Sequence, residues 1–391
     1  MPQTSGTERT LFVTFGTRPE AIKMAPVVLE LRRRKCFRVI TCLTGQHREM
    51  LDQVVNEFSI PVDHDLRIMR ERQTLGHITS AVLNGLDPIL ESSKPDLVLV
   101  HGDTTTTFAA ALASYYRMIP VAHVEAGLRT ENIYSPFPEE VNRRLADRLA
   151  EIYYAPTQAA RAALLREGTR PDSILVTGNT VIDALLVTSA AEAPAWEPRL
   201  DKALGRPGPK VLVTVHRRES WGVPMERVAQ AIKQVSKDLP EVTFIFPIHL
   251  NPIVRSTFRS ALDEVCQVVF CEPLPYRPFV HLMKSVDVVI TDSGGIQEEA
   301  PTLGKPVLVM RDTTERPEGV EAGTARLVGT DCSLIAGQLL RLLTDRSAYE
   351  QMANAVNPYG DGHAAERIAD HLEYRFGLRA EAPADFAGAP A

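Results

Sequence analysis

Residues 96–107 read DLVLVHGDTTTT, in which a short apolar run ends abruptly at Gly102 and Asp103. The run is rich in Val and Leu and does not alternate with polar residues, and a segment of helix length follows it at 104–117. Such a run is typical of a strand that is buried on both faces of a parallel sheet. We therefore predict a strand over 96–101 followed by a helix, which is the repeating unit of an α/β fold.

The same alternation of apolar runs and helical segments extends along most of the chain. Further strands are predicted in the first half at 11–15, 38–43, 120–124, 152–155 and 174–177, and in the second half at 211–215, 242–246, 267–270, 287–291, 306–310 and 325–329. A Pro-rich stretch at 192–209 separates the two series and predicts a linker. We expect two Rossmann-like domains that face one another across a cleft.

The length of 391 residues also favours two domains, because one hydrophobic core rarely supports so long a chain. We predict an N-terminal domain over 1–190 and a C-terminal, nucleotide-binding domain over 191–359. A helix at 360–376 is expected to pack back on the first domain. The Ala/Pro-rich end, 377–391, is predicted to be a disordered tail.

Composition and missing motifs exclude several classes of protein. The formal charge of -6 provides no general basic field for nucleic acid or anionic lipid. We find neither an apolar run of membrane-spanning length nor a signal peptide, and therefore expect a cytoplasmic protein. Five cysteines without C-x-x-C spacing predict no disulfide framework and no metal site. Nicotinamide and P-loop fingerprints are both missing, so no cofactor is predicted.

Charged residues follow two strands of the first half. Gly16, Arg18 and Lys23 follow the first strand, where a helix start favours an anion, although they would equally suit a turn with surface charges. Asp103 follows strand 96–101, at the sheet edge where α/β folds bind ligands. Capping of the next helix by Asp103 or a neighbouring Thr is the equal alternative.

The segment after strand 120–124 carries several carboxylates. Strand alternation places His123 and Glu125 on one side, and a metal site built from this pair alone is unfavoured. Glu139 and Arg143 are four residues apart on a predicted helix, and so are Glu140 and Arg144. Spacing alone predicts ordinary surface ion pairs there.

The second half repeats the pattern with cations. His216 and Arg217 end one strand and His249 follows another, which suits a diphosphate, although a lone cation is commonly structural. Residues 292–299 read DSGGIQEE and are predicted to begin a helix with Ser293 as N-cap. The glycines would let phosphate oxygens approach the backbone, and Glu299 could accept both hydroxyls of a ribose.

Taken together, these segments resemble the non-hydrolysing UDP-N-acetylglucosamine 2-epimerases, a family with the two-domain GT-B fold. The resemblance spans residues 11–375. It rests on eight motifs in one order: FGTRPEAIKMAPVV, TGQHREMLDQV, VHGDTTTTFAAALA, VEAGLRT, YSPFPEEVNRRL, VTVHRRES, TDSGGIQEEAPTLGKPVLVMRDTTERPE and NPYGDGHAAERI.

The resemblance implies roles for individual residues. The implied catalytic groups are Asp103, Glu125, Glu139 and His216. Implied substrate-binding residues are Arg18, Lys23, Arg143, His216, Phe279, Ser293, Gly294, Gly295, Glu299 and Arg316. A second, activating substrate site is implied at Gln46, Arg72, Glu139, Arg217 and His249.

The resemblance also implies an activity and partners. It implies epimerisation of UDP-N-acetylglucosamine at carbon 2 through 2-acetamidoglucal and UDP in the inter-domain cleft, with substrate and UDP as ligands and a homodimer as the assembly. A hydrolysing epimerase and a GT-B glycosyltransferase are the alternatives.

Overall fold

The computed structural model of the protein describes residues 8–45, 48–70 and 73–388. They form two units, each built on one parallel sheet: an N-terminal unit that runs to Ala184 and resumes at Gly360, and a C-terminal unit, Leu185–Tyr359. The prediction of an α/β fold with two Rossmann-like domains is confirmed. Within these described ranges, no helix is long and apolar enough to cross a membrane.

The N-terminal unit contains a sheet of strand order β3-β2-β1-β4-β5-β6-β7. Its strands are β1 (Arg9–Phe15), β2 (Phe37–Leu43), β3 (His64–Asp65), β4 (Leu97–His101), β5 (Val121–Val124), β6 (Ile152–Ala155) and β7 (Ile174–Val176). Its connecting helices are α1 (Arg18–Arg33), α2 (Arg48–Glu57), α3 (Leu75–Ser93), α4 (Thr105–Tyr116), α5 (Glu139–Leu149) and α6 (Gln158–Arg166), and α7 (Thr180–Ala190) spans the unit boundary. Of these strands only β3 was not predicted, because two residues carry no periodic pattern.

The C-terminal unit contains a sheet of order β10-β9-β8-β11-β12-β13. Its strands are β8 (Lys210–Thr214), β9 (Thr243–Pro247), β10 (Val268–Cys271), β11 (Val288–Thr291), β12 (Val307–Val309) and β13 (Ala325–Leu327). Its helices are α8 (Pro198–Leu204), α9 (Val223–Asp238), α10 (Pro252–Leu262), α11 (Tyr276–Ser285), α12 (Gly294–Thr302), α13 (Pro317–Glu321), α14 (Cys332–Thr344) and α15 (Arg346–Ala353), and the chain ends with α16 (Ala364–Arg375) in the N-terminal unit.

Helix α8 lies inside the predicted linker. Its Leu200 and Ala203 are buried, and Leu200 belongs to an apolar cluster of the C-terminal unit. The linker prediction is therefore wrong for Pro198–Leu204: its one proline, Pro198, stands in the first turn of a short helix, where proline is well tolerated.

Both faces of the second sheet are buried, as the apolar strands predicted. Val211 and Val213 of β8 contact one apolar cluster, while Leu212 between them belongs to the other. Successive side chains of a strand point to opposite faces, so an uninterrupted apolar strand fits a sheet covered on both sides. Each fully buried Val or Leu contributes about 1.5–3 kcal/mol to folding.

Helix α16 packs against α1 in the N-terminal unit. The buried carboxylate of Asp183 accepts hydrogen bonds from the N–H groups of Ala364 (3.3 Å) and Ala365 (2.8 Å) at the start of α16. Arg34 at the end of α1 forms ion pairs with Asp370 (3.0 Å) and Glu373 (3.3 Å) of α16.

The tail differs from its predicted disorder. Asp385 accepts a hydrogen bond from the Val176 N–H (2.8 Å) and forms an ion pair with Arg161 (2.6 Å). Phe386 is buried, and its N–H donates to the Val176 carbonyl at 2.7 Å. Composition pointed to disorder, but an Asp-Phe pair provides enough specific contacts to dock this segment beside β7.

Candidate functional site

The turn after β1 is closed by Glu20. Its buried carboxylate accepts hydrogen bonds from the N–H groups of Gly16 (2.9 Å) and Thr17 (2.8 Å), and Thr17 is the N-cap of α1. Burial raises the pKa of Glu20 above its usual value. The N–H groups of Gly16 and Thr17, which were predicted to bind an anion, are therefore already bonded to Glu20. The next residue, Arg18, is exposed.

The other carboxylate oxygen of Glu20 joins this turn to the turn after β4. It accepts hydrogen bonds from the hydroxyls of Thr104 (2.6 Å) and Thr107 (3.1 Å). Thr104 is also the N-cap of α4, since its hydroxyl accepts from the Thr107 N–H at 3.2 Å. Thr104 therefore caps the helix, and the carboxylate of Asp103 has a different partner.

That partner is Arg143 on α5, whose guanidinium contacts Asp103 and, at 3.3 Å, Glu140. Glu140 is fully buried and also forms an ion pair with Arg144 at 2.8 Å. The expectation of ordinary surface ion pairs is wrong here, because Arg143 is buried too and is shared between two carboxylates. Glu139, on the first turn of α5, is half-buried.

Glu125 follows β5 in the left-handed region, with φ of 65°. Its carboxylate pairs with Lys23 and accepts a hydrogen bond from the Asn179 amide at 2.9 Å, while His101 Nε2 lies 3.6 Å away. Left-handed backbone is unfavourable for a non-glycine residue, so these contacts must hold it in place. Burial lowers the pKa of His101 to about 3, so His101 is neutral.

The same turn corrects the expected side-chain alternation. Strand β5 ends at Val124, so Glu125 does not continue it, and His123 has partners of its own: Asp147 and the carbonyl of Gly102. Asp103 and Glu125 nevertheless follow neighbouring strands, β4 and β5, at one edge of the sheet. Each of these two carboxylates contacts a cation, Arg143 or Lys23.

In the C-terminal unit, Asp292 organises the segment after β8. Its fully buried carboxylate accepts hydrogen bonds from the N–H groups of His216 and Arg217, both at 2.9 Å, and lies 2.9 Å from His216 Nδ1. Burial alone would raise the pKa of Asp292, but His216 and the two N–H groups hold that pKa below its usual value. An ionised Asp292 thus fixes the position of both His216 and Arg217.

The start of α12 lies beside these residues. A Cβ atom at Gly294 would lie 3.7 Å from Arg217 Nη2, so this glycine brings the helix backbone close to the guanidinium. Ser293 is the N-cap residue, as predicted, but its hydroxyl makes no capping bond to the described backbone of α12. Gly295 is exposed and has no side chain, so the first turn of α12 offers its backbone N–H groups to solvent or a ligand.

The segment after β12 contributes Arg316. Its guanidinium pairs with Glu298, while the neighbouring Glu299 is buried on α12. Arg217 pairs with Glu315 at 3.5 Å, which draws the β8 and β12 segments together. The sequence indicated Glu299 and Arg316 but not Glu298, which Arg316 contacts.

The remaining predicted residues lie nearby or outside the described ranges. His249 is exposed, with its ring centroid 6.1 Å from that of His216, and burial together with His216 lowers its pKa. Phe279 on α11 is half-buried against an apolar cluster of the C-terminal unit. Gln46 and Arg72 lie outside the described residues.

Several residues of the site were missed. Glu20 had a detectable signal, because Thr17-x-x-Glu20 is a capping-box pattern. Asp292 stood inside the DSGG motif but was not assigned a role. Asn179 and His101 carry no local signal, since only the fold brings them to Glu125. In the part of the chain that the structure describes, no cluster of three or more His, Cys, Asp or Glu residues could hold a metal.

Comparison with known proteins decides the family. The family model described as UDP-N-acetylglucosamine 2-epimerase matches residues 29–373. The chain belongs to this family. Among curated members, the UDP-N-acetylglucosamine 2-epimerase of Yersinia pestis is 51% identical over 368 residues, covering 93% of this chain and 98% of the relative. That of Bacillus subtilis is 50% identical over 378 residues, covering 97% and 98%.

Solved structures of family members agree. The Neisseria meningitidis UDP-GlcNAc 2-epimerase bound to UDP-GlcNAc is similar with a TM-score of 0.82 and 47% identity, covering 93% of this chain and 100% of that chain. The Methanocaldococcus jannaschii enzyme in complex with UDP-GlcNAc and UDP gives 0.75 and 32%, covering 93% and 99%. These likenesses confirm the predicted family and its fold of the GT-B type.

Proposed function

We propose that this protein interconverts UDP-N-acetylglucosamine and UDP-N-acetylmannosamine by inverting carbon 2 without hydrolysis. Membership of the 2-epimerase family supports the substrate class. One structural observation supports the chemistry: Asp103 and Glu125 follow neighbouring strands of one sheet, each against a cation, Arg143 and Lys23. General acid/base catalysis uses side chains held in position in this way.

The reaction needs activation because the carbon 2 hydrogen is not adjacent to a carbonyl and is barely acidic. In the proposed route a carboxylate removes that proton while the bond between carbon 1 and the UDP oxygen breaks, which leaves 2-acetamidoglucal and UDP. Re-addition of UDP, with proton delivery to the other face of carbon 2, produces the manno epimer. Each acid/base group contributes about 10²–10⁴-fold to such a reaction.

The two units have different tasks in this proposal. Asp103, Glu125 and Glu139 of the N-terminal unit would act on the sugar, with Arg143, Lys23 and Arg18 beside them. The leaving diphosphate would be bound by His216 and the backbone of Ser293, Gly294 and Gly295. Glu299, Arg316 and Phe279 would bind the uridine. Preorganised donors at a developing anion are commonly the largest single contribution to a rate.

Regulation, assembly and location complete the proposal. Glu139, Arg217 and His249, with Gln46 and Arg72, would form a second site at which substrate activates the enzyme. The protein would act as a homodimer in the cytoplasm.

Product analysis of matched variants tests the proposal. Asp103→Asn should lower the rate of UDP-N-acetylmannosamine formation by about 10²–10⁴-fold, because it removes a proton-transferring carboxylate. Asp96→Asn is the control: Asp96 precedes the same strand at its opposite end and pairs with Arg9 at 3.0 Å. Anion-exchange chromatography separates the products. Free N-acetylmannosamine with UDP would indicate a hydrolysing epimerase, and turnover only with an added acceptor would indicate a glycosyltransferase.

A further inference from the structure

His123 is fully buried and both of its ring nitrogens face hydrogen-bond acceptors. Nδ1 lies 2.6 Å from a carboxylate oxygen of Asp147, and Nε2 lies 2.7 Å from the backbone carbonyl oxygen of Gly102. A carbonyl oxygen only accepts, so Nε2 must carry a proton to make its contact. An ionised carboxylate also only accepts, so Nδ1 must then carry a proton as well.

Asp147 is held in the ionised form. Burial alone would raise its pKa, but His123 and Arg129 hold the pKa of Asp147 below its usual value. Arg129 Nη2 donates to Asp147 at 2.7 Å, and the same guanidinium binds Glu167 at 2.7 and 2.9 Å. Charges of alternating sign therefore run inward from Glu167 through Arg129 and Asp147 to His123.

We propose that His123 is protonated on both ring nitrogens and positions Asp103, the carboxylate to which the proposed function assigns proton transfer. The inference rests on the proposed function for its effect on catalysis, but the charge state of His123 does not depend on it.

The link to Asp103 runs through the backbone. His123 holds the carbonyl of Gly102, which has a left-handed φ of 67° and directly precedes Asp103. The carbonyl of Asp103 itself accepts a hydrogen bond from the Asn142 amide at 3.0 Å. The peptide groups on both sides of Asp103 are thus fixed, which defines where its carboxylate meets Arg143. A catalytic group displaced by 1 Å can lose about 10²-fold in rate.

The surroundings favour the charged ring. Asp147 faces it from α5 and Arg129 stands behind that carboxylate. On the neighbouring strand, His101 is neutral because burial lowers its pKa to about 3, and the charge of Lys23 is paired with Glu125. In a neutral ring, one nitrogen carries a lone pair in place of a proton. That lone pair would face an acceptor oxygen within hydrogen-bond distance, and the two would repel each other.

The charge state is measured on the unaltered protein by nitrogen-15 NMR of its histidine rings. The NMR signals of the His123 ring are assigned by through-bond correlation with the backbone amide of the same residue. We expect both ring nitrogens to be protonated at pH 7, because both face acceptor oxygens. An unprotonated Nε2 at pH 7 would overturn the proposal, whatever the enzyme activity.

The positioning role is measured with His123→Phe. The variant removes the Nε2 donor that holds the Gly102 carbonyl and leaves Asp147 paired with Arg129. We expect kcat to fall by about 10²-fold with KM within about threefold of its original value. Glu167→Gln is the control, because it removes the other carboxylate partner of Arg129 and leaves both contacts of His123 in place.

The two parts of the argument fail separately. Unchanged kcat in a folded His123→Phe protein, or an equal loss in Glu167→Gln, would refute the positioning role. If His123→Phe does not fold, His123→Gln takes its place: its side-chain amide can still donate to the Gly102 carbonyl, so a kcat lowered by about 10²-fold in that variant would refute the role. A doubly protonated His123 in a protein without epimerase activity would refute only the proposed function.

Discussion

Replacement of Asp292 should destabilise the C-terminal unit and weaken the proposed binding of UDP together. Its carboxylate accepts from the N–H groups of His216 and Arg217, each at 2.9 Å, and is fully buried. A hydrogen bond to a charged group contributes about 1.5–3 kcal/mol and a neutral one about 0.5–1.5, so Asp292→Asn should cost about 2 kcal/mol over the two bonds. Asp292→Ala leaves both donors without an acceptor and should cost about 2–6 kcal/mol.

The assay can report on the C-terminal unit alone. Both tryptophans of the chain, Trp196 and Trp221, lie in that unit, so the urea midpoint of their fluorescence follows its unfolding. UDP affinity is measured on the same proteins by calorimetry. We expect the Kd for UDP to rise by about 10- to 100-fold in Asp292→Ala, since each tenfold change corresponds to about 1.4 kcal/mol.

A matched control separates stability from binding. Asp345→Ala removes an exposed N-cap, whose carboxylate accepts from the N–H groups of Ser347 and Ala348, and should destabilise the same unit by about 1 kcal/mol. Its affinity for UDP should not change. The reasoning is refuted if Asp292→Ala unfolds at the original urea concentration, or if it binds UDP as tightly as the unaltered protein.

Two further predictions concern the N-terminal unit. Burial raises the pKa of Asp183 to about 6 in the folded protein. Its contribution to stability is therefore greatest when the pH is below the pKa of the unfolded chain, and it is lost as the pH rises through 6. We compare the free energy of unfolding of Asp183→Asn with that of the unaltered protein. The difference between the two should change by up to about 3 kcal/mol between pH 3 and 7, and a difference in thermal unfolding that stays constant with pH would contradict this. Arg143→Lys cannot bind Asp103 and Glu140 at once and should lower kcat by about tenfold. Arg144→Lys is its control, and equal losses in a steady-state assay would count against the prediction.

The fold was largely predictable because its strands are apolar on both faces and stand out without alternation. The errors fall where tertiary contacts outweigh local pattern. Strand β3 has only two residues, and Asp385 and Phe386 dock in a segment whose composition favours disorder. Helix α8 lies in a Pro-rich stretch whose composition predicts a linker.

The candidate site was predictable where a residue directly follows a strand, as Asp103, Glu125 and His216 do. Spacing alone did not decide whether Asp103 or a neighbouring Thr caps the next helix, and the structure gives that role to Thr104. Glu140 was taken for a surface residue because helix spacing gives no measure of burial. Asp147 and Asn142 could not be found, since only the folded chain brings Asp147 to His123 and Asn142 to the carbonyl of Asp103.

The most direct test of the central claim is NMR of UDP-N-acetylglucosamine incubated with the protein in D2O. Removal and return of the carbon 2 proton by enzyme carboxylates predicts that UDP-N-acetylmannosamine accumulates with deuterium at carbon 2 and with its UDP retained. Formation of the manno nucleotide with the original hydrogen still at carbon 2, release of free sugar, or no reaction would contradict the account.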